Sequence, residues 1–295
     1  MAKILIAGAT GAVGKELIKA LNSGEHELRA LMRNPQKLVQ SGIPQTNIFI
    51  ADARNSESLH QSCDGIEVVI SAIGASLQPK LTKDRNATYF DVDFQANKNL
   101  LDEAKRAGVK KFIYVSAFKA NENPGIAYFE AHAAFEKALI NSGLEYAIIR
   151  PTGIFYIFEE FIKLADKGIM PLFGDGSAKT NPIHESEVAT ACINAITADE
   201  TEFDVGGSEV FSRRELGELC FAALNKKPRF ISYPVGLLRW MIKPVAYVDR
   251  RLFEFLDFGV VVNTKEFIAP KIGEKKLESY LLQLTRQAKS EQYET

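Results

Sequence analysis

The sequence has only three cysteines in 295 residues, Cys63, Cys192 and Cys220, far apart and odd in number. No Cys-x-x-Cys pair and no Cys/His spacing suits a metal, and no disulfide framework can be drawn. The expectation is a reducing compartment and no metal site. An excess of either charge is also missing: 36 basic residues against 37 acidic ones give a net charge of −1. Without a basic stripe to neutralise phosphates along a duplex, a nucleic-acid partner is not expected. No apolar run approaches the roughly eighteen residues of a membrane span. Ile4–Ala7, near the start, is too short for a leader. The chain is therefore expected to be cytoplasmic, with no membrane partner, and a monomer or homodimer. Internal repeats and Pro/Gly-rich linkers are absent, and the composition is that of an ordinary globular protein.

What is present is an alternation of short β-branched runs with amphipathic segments. Lys3–Ala7, Glu27–Met32, Asn47–Ile50, Glu67–Ser71, Lys111–Val115 and Leu144–Ile149 read as strands. Ala12–Leu21, with Val13, Leu17, Ile18 and Leu21 at helical spacing, reads as a helix, as do Phe90–Ala107 and Ala127–Asn141. Strands alternating with helices give an α/β fold, a doubly wound parallel sheet of the Rossmann type. Such a sheet binds ligands at the carboxyl ends of its strands, where the strand order reverses. After Pro151 the rhythm changes. Gly174-Asp175-Gly176 marks a turn between two extended pieces, and further helices and short strands follow. Asp175 is explained by that turn, and His184 precedes a helix starting near Glu185. The expected division is a dinucleotide-binding domain over 1–155 and a smaller C-terminal substrate lobe over 156–295, packed on it.

Gly8-Ala9-Thr10-Gly11-Ala12-Val13-Gly14 lies between the first strand and the first helix. A tight strand-to-helix turn needs unusual φ, and a pyrophosphate needs bare backbone close by; glycine supplies both. The helix N-terminus then offers free N–H groups to the phosphates. In this βαβ context the run points to a dinucleotide site. After the second strand, where an acidic residue would hold the ribose of NAD, the sequence reads Arg33-Asn34-Pro35-Gln36-Lys37. Arg33 and Lys37 could pair with a 2′-phosphate, so NADP(H) is expected as cofactor. The alternative is a pair of solvated surface charges.

On Gly8-x-x-Gly11-x-x-Gly14, Arg33-Asn34-Pro35, Val69-Ile70-Ser71-Ala72-Ile73-Gly74, Tyr114-Val115-Ser116, Ile149-Arg150-Pro151 and Asn181-Pro182-Ile183-His184, the chain resembles the atypical short-chain dehydrogenases/reductases of the NmrA-like group, over roughly residues 3 to 230. The resemblance implies that Asp52 and Ala53 lie against adenine. It also implies that Ala72, Ile73 and Gly74 pass beside the cofactor's ribose, and that Pro151 and Thr152 complete the cofactor contacts. That group includes reductases, epimerases, redox sensors and assembly factors without turnover.

In catalytic relatives a Ser ends the fifth strand, and a Tyr and a Lys stand four apart on the next helix. Ser116 and Tyr128 match the first two, whereas His132 stands at the Lys position. A tyrosine with a pKa near 10 exchanges protons at neutral pH only when a cation favours the phenolate. His132, with Glu136 one turn on to orient and charge it, is expected to tune Tyr128 or hold ribose. Alternatively, Ser116 satisfies backbone at a strand end, Tyr128 packs on a helix face, and His132 and Glu136 form an ion pair. Phe118, Phe155 and Tyr156 are the expected substrate contacts. The apolar stretch from Tyr233 to Phe258, with Trp240, Tyr247 and Phe253, is expected to help wall a cleft for a small, largely apolar molecule. The leading expectation is an NADPH-dependent reductase of a carbonyl or activated double bond. A sensor or assembly factor without turnover, and a sugar-nucleotide epimerase or dehydratase, are the alternatives.

Overall fold

The structure is a computed structural model that describes residues 1–22, 26–34, 47–75 and 87–293. Ile4 to Ala7 are fully buried. A strand apolar at four consecutive positions must be covered on both faces, as in the centre of a parallel sheet. This strand, β1 (Lys3–Ala7), pairs in parallel with β2 (Glu27–Met32) on one side and β4 (Val68–Ser71) on the other. With β3 (Asn47–Ile50), β5 (Lys111–Val115), β6 (Glu145–Pro151) and β7 (Glu202–Val205), they form a seven-stranded sheet in the order β3-β2-β1-β4-β5-β6-β7. The expected doubly wound α/β architecture is thus present, and its order reverses between β1 and β4.

Helix α1 (Ala12–Leu21) buries Val13, Leu17, Ile18 and Leu21, the stripe read from the sequence. The expected helix from Phe90 to Ala107 is present in two pieces. It opens as a π-helical stretch, Phe90–Ala96, and continues as α2 (Asn97–Ala107), ending where Gly108 takes a left-handed φ of 74°. Such wide turns are uncommon and gather at functional sites. This one carries Asp93, and Asn97 follows it; both are fully buried. Helix α3 (Ala127–Ile140) lies between β5 and β6 in sequence and buries Phe129, His132, Phe135, Glu136 and Leu139.

The chain forms two compact units, each from two segments: Met1–Arg150 with Glu185–Asp204, and Pro151–His184 with Val205–Thr295. This corrects the single cut expected after residue 155. The helix Glu185–Asn194 packs on α1, so it belongs with the nucleotide-binding half. In the second unit, Phe155, Phe158, Ile162, Met170, Leu216 and Phe221 share one core. The extended pieces flanking Gly174-Asp175-Gly176 do not pair with each other. Met170–Phe173 runs parallel to Phe230–Tyr233, and Lys179–Thr180 runs antiparallel to Phe211–Ser212. All three cysteines are buried and free. Among the described residues, no helix is long and apolar enough to cross a membrane.

Candidate functional site

The carboxyl ends of β3, β2, β1 and β4 bring the phosphate turn, Arg33, Asp52 and Ala72–Gly74 to one edge of the sheet. Gly8 has φ +77°, and a Cβ there would lie 2.5 Å from the Ala72 carbonyl oxygen. A Cβ on Gly14 would lie 2.2 Å from the Gly8 oxygen. Gly8 and Gly14 therefore let the turn close and α1 approach β1. Gly11 is different. It is exposed and extended, its N–H donates to the Gly8 oxygen at 2.9 Å, and it caps α1 without any side-chain hydrogen bond. The first turn of α1, from Ala12 and Val13 onward, contains no acidic residue. Val13 turns its side chain inward, whereas Thr10 and Ala12 are half-buried. Bare backbone donors at an uncompensated helix N-terminus fit a pyrophosphate.

Beside this cradle, Arg33 is exposed just beyond β2, and Asp52 and the buried Ala53 follow β3. Arg54 grips Asp52 through two nitrogens, at 3.2 and 2.7 Å. The hydrogen bond from Arg54, with the charge of Arg33 acting in the same sense, holds the Asp52 carboxyl below its ordinary range. Lys37 lies outside the described residues. Arg54 is the guanidinium that sequence reasoning missed; it belongs to no recognisable motif and gains meaning only from the strand order.

The strand exit Ala72–Gly74 is held from below. The Ser71 hydroxyl donates to the Asn97 amide oxygen at 2.6 Å, and the Asn97 amide nitrogen donates to the carbonyls of Ile73 and Asp93 at 3.3 and 2.9 Å. Asp93 accepts from the Ala75 N–H at 3.1 Å. His132 Nε2 stands 3.6 Å from the same Asp93 oxygen, and His132 Nδ1 lies 2.6 Å from the Tyr114 hydroxyl. Burial pushes the Tyr114 hydroxyl well above its usual pKa, so it keeps its proton, with His132 Nδ1 and, at 3.5 Å, the Asp93 carbonyl within its reach. Burial also drives His132 down to about 3 and Asp93 up to about 7. This corrects the expectation of a charged His132 oriented by Glu136. His132 is neutral, and its neighbours are Tyr114 and Asp93. Tyr128 remains half-buried in the first turn of α3, edge-on to His132 at 4.6 Å and to Tyr89 at 5.4 Å.

Glu136 serves another group. It accepts from the Ser116 hydroxyl at 2.5 Å, from Asn121 at 3.0 Å, and from Arg150 through a fork at 2.9 and 2.8 Å. Spacing on the helix placed Glu136 on the face of His132, but a guanidinium on β6 is the stronger partner for a buried carboxylate. The Ser116 hydroxyl, matched to the family serine in the sequence, thus gives its proton to Glu136. Removing one member of a buried ion pair leaves the other charge unmatched, at about 3–5 kcal/mol. Arg150→Met is therefore expected to lower unfolding stability by that amount in urea titrations. Adding Glu136→Leu is expected to restore more than half of the loss.

In the second unit, Pro151 is buried, and the Thr152 hydroxyl donates to the Asn181 carbonyl at 2.6 Å. Phe155 is a core side chain, ringed by His184 and Tyr280 at 5.5 and 5.4 Å. That corrects its expected role as an open substrate contact. Tyr156 is exposed, and Phe118, in the first unit, is half-buried beside the Lys119 ammonium. Among the described residues, no group of three or more His, Cys, Asp or Glu side chains could hold a metal.

A doubly wound sheet with a glycine-lined, uncapped helix N-terminus at its switch point defines a dinucleotide-binding Rossmann protein. Residues 8–199 match the family described as NAD(P)H-binding, and the chain belongs to that family. The expected kinship with the atypical short-chain dehydrogenases/reductases holds. The divinyl chlorophyllide a 8-vinyl-reductase of Cucumis sativus is 25% identical over 258 residues, which cover 81% of this chain and 61% of that protein. The chain thus spans less than two thirds of that relative. The photosystem II assembly factor Ycf39 of Synechocystis sp. is 24% identical over 244 residues, 81% of this chain and 73% of that one. Among solved structures, the NADPH-dependent quinone oxidoreductase of Escherichia coli in complex with NADPH superposes with a TM-score of 0.74 at 20% identity. That match covers 96% of this chain and 99% of the other, and it speaks to the fold.

Proposed function

We propose that the chain is an NADPH-dependent reductase of an activated double bond or conjugated carbonyl in a small, largely apolar molecule. The observation that carries this reading is the acid-free phosphate cradle at Gly8–Gly14 on the same sheet edge as Arg33 and Arg54. When bound, the dihydronicotinamide supplies a hydride. The backbone N–H groups at Ala12 and Val13 bind the phosphates, and Arg33 and Arg54 take the 2′-phosphate. Tyr128 holds the proton that the reduced substrate needs. No fixed cation stands at position 132 to assist it, because His132 is neutral. An isolated ketone concentrates charge on one oxygen and needs a strong acid partner. A conjugated acceptor spreads that charge and tolerates a weak one. The names of the quinone oxidoreductase and the vinyl reductase among the similar proteins agree with conjugated acceptors.

The test mixes purified protein with NADPH and a panel of quinones, enones and simple ketones, following loss of the reduced nicotinamide absorbance. Turnover of the conjugated members is expected. Tyr128→Phe is expected to slow it about a hundredfold, the low end for a positioned general acid. Equal rates in both forms would assign the proton to solvent. Coenzyme choice is a separate measurement. Arg33→Ala is expected to weaken NADPH binding about 10–100-fold while leaving NADH binding unchanged, because it removes one charge-assisted contact to phosphate.

A second reading is supported by the commitments of Ser116 to Glu136 and of His132 to Tyr114. A chain with those groups tied inward could bind NADPH as a sensor or assembly factor without turnover. Coenzyme binding with no acceptor consumed, and a co-purifying protein, would favour it.

A further inference from the structure

The chain has a single tryptophan, Trp240, and its side chain is 72% exposed. It sits on the helix Val235–Ile242, where Leu237, Trp240 and Met241 fall at positions i, i+3 and i+4 and so share one face. Leu237 and Met241 are 47% and 51% exposed, whereas Ile242 is buried and anchors the helix to its unit. The next turn, Lys243–Tyr247, continues the exposure: Tyr247 is 93% exposed and Val248 is 90%. Five large apolar side chains turned to water within twelve residues are not the wall of a core. A contiguous apolar patch marks a surface that something covers.

Arg239, Lys243 and Arg250 are exposed. Of the nearby carboxylates, Asp249 is exposed, whereas Glu254 and Asp257 are withdrawn. Asp249 accepts from the Leu252 N–H and caps the helix Arg250–Thr264. Glu254 is buried against Arg250. Asp257 is partly buried within the influence of Arg239. Arg250 is matched by Glu254 at 2.9 Å and Asp249 is exposed, so the cationic charge beside these aromatic and aliphatic side chains is that of Arg239 and Lys243.

We propose that this face, centred on Trp240, docks the protein on the surface of a bilayer containing anionic phospholipids. The helix would lie in the interface plane, with Leu237, Trp240 and Met241 at the headgroup boundary and Arg239 and Lys243 among the phosphates. Tryptophan and tyrosine are at home at that depth, and basic residues supply the attraction. A second copy is a poorer occupant. A two-fold pairing of this patch would set its cations against themselves. The eight-residue helix cannot span a membrane, so the attachment is peripheral.

Because Trp240 is the only tryptophan, its emission reports on this face directly. The full chain is mixed with vesicles of phosphatidylcholine alone, and with vesicles of phosphatidylcholine and phosphatidylserine. The expected result is a blue shift and co-sedimentation with the anionic vesicles only, both fading as salt is raised. Arg239→Glu with Lys243→Glu is expected to weaken this binding about thirtyfold, and Leu237→Ser with Met241→Ser is expected to abolish the blue shift. Unchanged circular dichroism and thermal unfolding of both variants would show that they fold. Three results would overturn the proposal: no response to either vesicle, equal response to both, or a blue shift that grows with protein concentration in the absence of lipid.

Discussion

Gly14→Ala is expected to destabilise the nucleotide-binding unit by more than about 3 kcal/mol, whereas Gly11→Ala leaves its stability within about 1 kcal/mol and weakens coenzyme binding at least tenfold. The two positions share one motif and differ in what surrounds them. At Gly14 a methyl group would sit 2.2 Å from the Gly8 oxygen and 2.8 Å from the Ala9 Cα. Both are backbone atoms of the strand-to-helix turn, so no side chain can swing away, and α1 must move off β1. At Gly11 the backbone is extended, with φ −76° and ψ 171°, the nearest atom to an added Cβ is 3.2 Å away, and the residue is exposed. The fold accepts a methyl there, but the methyl stands where a pyrophosphate must meet the N–H groups of α1. Thermal unfolding paired with NADPH titration separates the two effects. Loss of stability at Gly11, or normal stability at Gly14, would mean that the glycines divide these tasks differently.

The two cases show what the sequence could reveal. The phosphate turn was legible because its requirements are local: a strand, glycines at set spacing, then an amphipathic helix. Lys3–Ala7, Glu27–Met32 and Lys111–Val115 were legible to the residue because polar or turn residues bound each apolar run. The π-helical start at Phe90 was not. FDVDFQA has helical patterning whichever hydrogen-bond ladder the backbone adopts. Nor was the partner of Glu136 legible. Helical spacing makes residues 132 and 136 neighbours on α3, but the choice between them and Arg150 is made by a strand fourteen residues on. The charge state of His132 follows from burial, which a single residue type does not announce. The return of Glu185–Asp204 to the first unit was hidden for a similar reason, since its composition fits either half.

Asp93 and His132 carry the second large prediction, because their titrations oppose each other. Asp93 moves from 3.8 up to about 7 on folding, and His132 moves from 6.5 down to about 3, both through burial. Between pH 3.8 and 6.5 the folded pair holds one proton, on Asp93. The unfolded chain also holds one there, on His132. With equal numbers of protons bound, the pair contributes no slope of stability against pH in that window. Asp93→Asn removes one half of the balance. The unfolded chain then binds the extra proton, on His132, and stability is expected to rise with pH between about 3 and 6.5, by up to about 1.4 kcal/mol per pH unit relative to wild type. His132→Asn leaves Asp93 alone, protonated when folded and ionised when unfolded. Its stability is expected to fall with pH from 3.8 to about 7 by a similar slope. The double variant is expected to return to the flat profile. Urea unfolding at pH 4.5, 5.5 and 6.5 reads all four proteins, and every other titrating group cancels in the differences. Parallel profiles for wild type and both single variants would show that these two groups do not exchange a proton on folding. Opposite slopes would establish a protonated Asp93 beneath the Ala72–Ala75 strand exit. Such an acid would leave the strand exit without a buried negative charge.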